Sequence, residues 1–280
     1  LEALGASVIP LGRSEQFVPV DTEAVSEEDR AKASTWSAEH NLDALFTTDG
    51  DGDRPLLADE HGQWLRGDIL GLLCARELGI QALAVPVSCN TAIEGCGAFA
   101  QVVRTRIGSP YVLAAMGALT EQNAQVAGFE ANGGFLLASR LQKETGYLEA
   151  LPTRDALLPA LTLLVAAAQQ NKPLSALVDG LPLRFTASDR LKSFPTERSA
   201  ALLSQWKNDL PAMQKALGLE ASIIHVDSTD GLRVTLTTGD VVHLRPSGNA
   251  PELRCYAEAG TSEQAAEVAK KSLAACAHFL

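Results

Sequence analysis

The feature that most restricts how this chain can fold is a change in the rhythm of its apolar segments. Over residues 1–175, short apolar runs that suit buried strands alternate with longer segments whose apolar residues recur at helical spacing. The pattern predicts strands at 8–11, 41–47, 80–87, 101–105, 124–130 and 134–138. It predicts helices at 27–40, 68–78, 109–119 and about 153–170, with a Gly-rich helical stretch near 90–99. Asp68 is placed to cap its helix and Gly79 to stop it, and Ser109-Pro110 reads as an N-cap followed by an N1 proline. Alternating strands and helices of this kind predict a three-layer α/β/α architecture with a mainly parallel sheet. After Pro182 the rhythm changes. A helix over 196–217 is followed by close-set strands at 222–226, 232–237, 241–244 and 253–258, then a terminal helix over 262–278. That grouping predicts a small α+β domain.

Charge narrows the partners. Residues 1–60 hold 4 Lys and Arg against 14 Asp and Glu, whereas the remaining residues hold 19 against 20. A polyanion would be repelled by the first block and would find no basic stripe in the rest, which excludes nucleic acid as the expected ligand. The most apolar stretch, 156–168, is interrupted by Pro159 and Thr162 and is too short to cross a bilayer. It reads as a buried helix, and no membrane partner is expected. Five cysteines without a CxxC pair suit reduced, mostly buried thiols, and hence a cytoplasmic protein. The chain opens without Met or a basic n-region, as though part-way through a βα unit.

The strongest chemical signal is Thr48-Asp49-Gly50-Asp51-Gly52-Asp53-Arg54, directly after a buried strand. Three carboxylates at alternate positions, spaced by glycines, let a loop bring their oxygens together around a hard divalent cation such as Mg²⁺. Arg54 adds a fork suited to phosphate. An EF-hand is rejected, because Arg54 and Pro55 stand where its tight turn needs Gly and a strand precedes the loop. A phosphatase of the haloacid-dehalogenase type would use Asp49 as nucleophile and Asp51 as acid/base, and a solvated acidic turn is the bland alternative.

Two further segments join this loop. Gly128-Phe129-Glu130-Ala131-Asn132-Gly133-Gly134 and Arg245-Pro246-Ser247-Gly248-Asn249-Ala250-Pro251 follow in order. Together the three resemble the metal-binding, sugar-binding and phosphate-binding loops of the α-D-phosphohexomutases. The resemblance covers the whole chain. It implies part of a second α/β domain over 1–65, a third α/β/α domain over 66–180 and a fourth, α+β domain over 181–280. It also implies that Asp49, Asp51 and Asp53 hold Mg²⁺, and that Glu130 and Asn132 bind sugar hydroxyls. Arg245, Ser247, Gly248 and Asn249 would bind the phosphate that is not reacting, in addition to the Arg54 fork at the acidic loop. Arg254 either binds phosphate or pairs with Glu252 or Glu258.

The activity implied is exchange between hexose 1-phosphate and hexose 6-phosphate, of mannose or glucose, through a hexose 1,6-bisphosphate. A small phosphosugar is the partner, and no oligomeric state is implied. The family's phosphoserine domain has no counterpart in these 280 residues, so the chain alone is expected to bind without turning over. Departures fall among the contact positions: Asn132 where Ser is common, Gly134 where His is common, and Asn249-Ala250 in place of Thr-Glu. The segment Thr105-Arg106-Ile107-Gly108-Ser109-Pro110-Tyr111 also lacks a His that some members carry. These changes bear on the sugar preferred.

Overall fold

Local chemistry sets the first helix directly. In α1 (Glu27–His40) the Ser26 hydroxyl accepts from Asp29 N, and three acids fill the first turn, where the helix dipole favours them. Asn41, at φ 49°, ends it. The structure, a computed structural model, describes residues 1–144, 146–248 and 250–279.

In chain order the elements continue with β1 (Leu45–Thr48), β2 (Pro55–Ala58), α2 (Gly67–Leu78), β3 (Ala82–Pro86), α3 (Ala92–Gly95) and β4 (Gln101–Thr105). Next come α4 (Ser109–Thr120), β5 (Val126–Phe129), β6 (Phe135–Leu137), the hairpin β7 (Leu141–Lys143) and β8 (Gly146–Leu148), β9 (Leu151–Asp155) and α5 (Leu157–Gln170). The remainder is β10 (Phe185–Lys192), α6 (Thr196–Asn208), α7 (Leu210–Ala216), β11 (Ile223–Asp227), β12 (Leu232–Leu236), β13 (Val241–Pro246), β14 (Glu252–Ala259) and α8 (Ser262–Ala277).

Contacts divide the chain into two compact units. The first holds Leu1–Val85, Gly97–Val103 and Val112–Gly180; the second holds Pro86–Cys96, Arg104–Tyr111 and Leu181–Leu280. The α/β class is as expected, but the five-stranded sheet β4-β3-β5-β6-β9 is mixed rather than mainly parallel. β3 and β5 run parallel, while β5–β6 and β6–β9 are antiparallel. The tight turn after Glu130 sends the chain straight back, which a parallel crossover could not do.

Helix α2 lies unusually close to β5 and its following loop. A Cβ on Gly71 would meet the Phe129 ring at 2.5 Å, and one on Gly67 would meet Gly133 N at 2.2 Å. In the second unit all pairings of β10-β14-β13-β12-β11 are antiparallel. A core including Phe194, Trp206, Leu244, Leu253 and Leu273 covers one face of that sheet. Each such side chain contributes about 1.5–3 kcal/mol by leaving water.

Several expectations give way to context. Residues 8–11 form no strand, and Asp68 sits inside the first turn of α2, ion-paired to Arg66, rather than capping it. Ser109 likewise falls inside its helix. Residues 151–155 form β9 because they pair with β6, and Asp155 then accepts from the amides of Leu157 and Leu158 to start α5. The helix expected over 196–217 is two, because Pro211 lacks an N–H and Asp209 caps the second piece through Ala212 N. The strands β2, β7, β8, β9 and β10 were not anticipated. All five cysteines are free and four are buried. Among the described residues no helix is long and apolar enough to cross a membrane.

Candidate functional site

In the first unit the acidic loop is the turn of a hairpin: β1 and β2 pair antiparallel, with Thr48 opposite Pro55. The Asp49 carboxylate holds that turn. Its Oδ1 accepts from Gly52 N, Asp53 N and Arg54 N at 3.1, 3.2 and 3.1 Å. Asp49 N donates to Arg54 O at 3.1 Å, and Gly52 supplies the positive φ of 78° that the turn needs. Its other oxygen lies 3.6 Å from Arg54 Nε. Asp51 is exposed.

Asp53 points toward the second loop, with Oδ2 2.9 Å from Arg154 Nη2 and Oδ1 buried without a hydrogen-bond partner. The expected convergence of three carboxylates is therefore not what the structure shows. Among the described residues no group of three or more His, Cys, Asp or Glu stands ready to hold a metal ion. Asp49 Oδ1 is committed to three amides, which suits a loop clamp better than the nucleophile of a phosphatase.

Glu130 follows β5 at the strand's carboxyl end. Its backbone closes a tight turn through Gly133 N to Glu130 O and Glu130 N to Gly134 O. The side chain is buried, Oε2 has no hydrogen-bond partner, and Arg154 Nη1 is 3.9 Å away. Burial pushes the Glu130 carboxyl upward, against the opposing pull of Arg154 and Arg54 and a hydrogen bond from Asn132. Asn132 Oδ1 accepts from Gly134 N, and its carbonyl accepts from the Thr22 hydroxyl. Gly133, at φ 92°, lies against Pro55, and Gly134 lies against the Arg154 side chain.

The result is one cluster of Asp53, Arg54, Glu130, Asn132 and Arg154. Arg154 was missed in the sequence because it lies on a strand read as a helix start.

In the second unit Arg245 is the last-but-one residue of β13. Its Nε lies 2.9 Å from Asp230 Oδ2. Ser247 N donates to Glu252 O and closes the loop into β14. Ser247 is buried and Gly248 exposed; a Cβ on Gly248 would meet nothing within 4 Å. Asn249 lies outside the described residues. Arg254 stands directly opposite Arg245 on one side and Arg190 on the other. Directly opposed residues share a sheet face, so three guanidinium side chains lie abreast. Asp230 takes Arg245, and Glu252 lies 3.7 Å from both Arg190 and Arg254.

A row of guanidinium side chains suits phosphate. Arg190 was missed because β10 was missed. The alternation of Ala187 and Leu191 against Arg190 and Lys192 was the available signal. Beside this row His243 is buried and stacked on Tyr256, and burial pulls its imidazole down to about 4.

Comparison with known proteins gives the family of the chain. Residues 66–185 match the family model "Phosphoglucomutase/phosphomannomutase, alpha/beta/alpha domain III", and residues 198–275 match the C-terminal domain of the same family. The chain is 53% identical to a phosphomannomutase of Salmonella muenchen over 96% of its own length and 56% of that relative's. It is 44% identical to a phosphomannomutase of Sinorhizobium fredii, over 98% of its length and 58% of the relative's. It thus spans little more than half of each. The crystal structure of an Aspergillus fumigatus N-acetylphosphoglucosamine mutase, in complex with GlcNAc-6P and magnesium, aligns with a TM-score of 0.57 at 15% identity. That alignment covers 88% of this chain and 52% of the other, and shows a shared fold.

Proposed function

The chain belongs to the phosphoglucomutase/phosphomannomutase family, and on that premise we propose that it is the cation-, sugar- and phosphate-binding part of a phosphohexomutase. The complete protein would interconvert hexose 1-phosphate and hexose 6-phosphate, of mannose or glucose, through a hexose 1,6-bisphosphate that turns over between two half-reactions. The observation that carries this reading is the cluster around Arg154. Two buried carboxylate oxygens there, Asp53 Oδ1 and Glu130 Oε2, have no hydrogen-bond partner, and they belong to the acidic loop and the sugar-loop segment respectively. A buried polar atom without a partner costs about 1–3 kcal/mol, so the cluster favours a ligand that brings positive charge and hydroxyl groups.

The residues fit Mg²⁺ in donor chemistry: hard carboxylate oxygens, one of them buried and accepting no hydrogen bond, on a loop whose Gly52 leaves open room. Asp49, Asp51 and Asp53 would hold the ion, which when bound neutralises charge on a transferring phosphoryl group. The protein's own residues do the rest. Asp49 fixes the loop through its amides. Glu130 accepts from a sugar hydroxyl and Asn132 donates to one. Arg54 neutralises phosphate at the acidic loop, while Arg245, Ser247, Gly248 and Arg254, with Asn249, bind the phosphate that is not reacting.

Two measurements test the reading. Full-length protein, with Mg²⁺ and a trace of hexose 1,6-bisphosphate, converts mannose 1-phosphate or glucose 1-phosphate; failure on every hexose and hexosamine phosphate rejects the activity. The 280-residue chain alone binds hexose phosphate in calorimetry and shows no sustained turnover.

A further inference from the structure

We infer that Asp230 is a positioning residue for the phosphate grip, locking the Arg245 guanidinium to the loop that carries Gly108 and Ser109. The inference rests on the reading of Arg245 as a phosphate contact. Asp230 sits in the turn between β11 and β12, and a single oxygen of its carboxylate serves two partners. Oδ2 accepts from Arg245 Nε at 2.9 Å and from the backbone N–H of Ile107 at 2.9 Å.

Two further contacts hold Asp230 itself. Its carbonyl accepts from His243 Nε2 at 2.6 Å, and the His243 ring is buried and stacked on Tyr256. The next residue, Gly231, has φ 84°, and a Cβ there would meet Leu244 O at 2.3 Å and Arg245 Cα at 3.0 Å. The turn therefore lies directly on the backbone of the residue it steers, an approach that only glycine allows.

A long arginine side chain loses rotamer freedom when it grips a ligand. A charged hydrogen bond at Nε sets the plane of the guanidinium beforehand, and the Nη1–Nη2 edge of that plane is one that takes phosphate in bidentate fashion. The same oxygen ties this plane to Ile107, so the grip and the Ile107-Gly108 bend hold one register. Asp230 touches no substrate in this scheme; it acts through Arg245.

The test is a double-mutant cycle on the 280-residue chain, titrating mannose 1-phosphate by calorimetry and following thermal unfolding in parallel. Asp230→Asn is expected to weaken binding about 10-fold, and Arg245→Lys by at least as much. Because Asp230 acts through Arg245, adding Asp230→Asn to Arg245→Lys changes the affinity by less than about 2-fold, the non-additivity expected of residues acting as one unit. Thermal unfolding confirms that each variant titrated is folded. Unchanged affinity in Asp230→Asn, or a full 10-fold loss in the Arg245→Lys background, would overturn the proposal.

If the Asn variant loses its circular-dichroism spectrum, Asp230→Glu takes its place, keeping the charge and moving the carboxylate by one methylene. Several-fold weaker binding is then expected, and wild-type affinity overturns the proposal. Absence of mannose 1-phosphate binding by the wild-type chain, or binding that survives Arg245→Ala, would overturn the reading of Arg245 itself and this inference with it.

Discussion

The acidic loop of the first unit and the arginine row of the second manage charge in opposite ways. Around Arg154, two carboxylates approach one guanidinium, and each keeps a buried oxygen that accepts no hydrogen bond. Around Arg245, the carboxylate of Asp230 is used twice over, and its backbone is held by a buried histidine. The first arrangement is incomplete until something binds. At Arg245 the second has its carboxylate partner in place before anything binds. Spare oxygens leave the first free to adapt to what it binds, while a side chain fixed in advance loses less freedom on binding.

The largest expected effect breaks the first arrangement at its base. Asp49→Ala removes an oxygen that accepts from three loop amides. At about 1 kcal/mol per hydrogen bond, it should cost about 3 kcal/mol in chemical denaturation. Mg²⁺ binding followed by calorimetry should vanish with it. Retained Mg²⁺ affinity would show that the loop does not need its clamp.

The second prediction sharpens the contrast from the other side, through pH. His243 sits near 4 when folded, against about 6.5 in an unfolded chain. The unfolded chain therefore binds a proton that the folded chain refuses, so stability is full above pH 6.5 and falls as pH drops toward 4. The group contributes up to about 3 kcal/mol across that window. Urea unfolding of wild type and His243→Gln from pH 4 to 7 should show the wild type losing more. Parallel curves would contradict this.

Next in size is Gly67→Ala. Its Cβ would stand 2.2 Å from the backbone of Gly133, which cannot swing aside as a side chain would. About 2 kcal/mol of destabilisation is expected, together with weaker sugar-phosphate binding as the Glu130 turn shifts. The smallest effect is a gain. Burial raises the Glu130 carboxyl, so its folded form is favoured below the usual Glu range and loses that advantage as pH rises. Glu130→Gln should therefore unfold at a slightly higher temperature than wild type near pH 8 and lose the difference near pH 4. Its hexose-phosphate affinity should fall at the same time.

What could be read from the residues differs between the two units for the same kind of reason. Helix α1 and strand β4 match their sequence readings to the residue, because caps and apolar periods are local facts. The acidic loop, the Glu130 turn and the segment after Arg245 stand out for the same reason, since glycine-spaced carboxylates and a Ser-Gly turn are short-range chemistry. Arg154 and Arg190 were hidden because each matters only through its strand neighbours. β9 is held by pairing with β6, and β10 by pairing with β14, across 60 residues of chain or more for the latter. Asp49 was read correctly as part of the loop, but its oxygen goes to the amides. Spacing alone does not say whether a carboxylate will prefer a metal or the nearest N–H.

The segments 86–96 and 104–111 belong by contact to the second unit, although by position they lie within the first matched family domain. Thr91 N donates to Glu258, Asn90 donates to the Arg184 carbonyl and to Thr186, and Ile107 N donates to Asp230. The molecule therefore cannot be severed where its sequence suggests. A piece beginning near residue 181 would leave Glu258 and Asp230 without these partners and bare a polar sheet face. Limited proteolysis between 181 and 196 should accordingly yield two fragments that stay associated, because the cut would pass through the polypeptide without passing between the parts that pack.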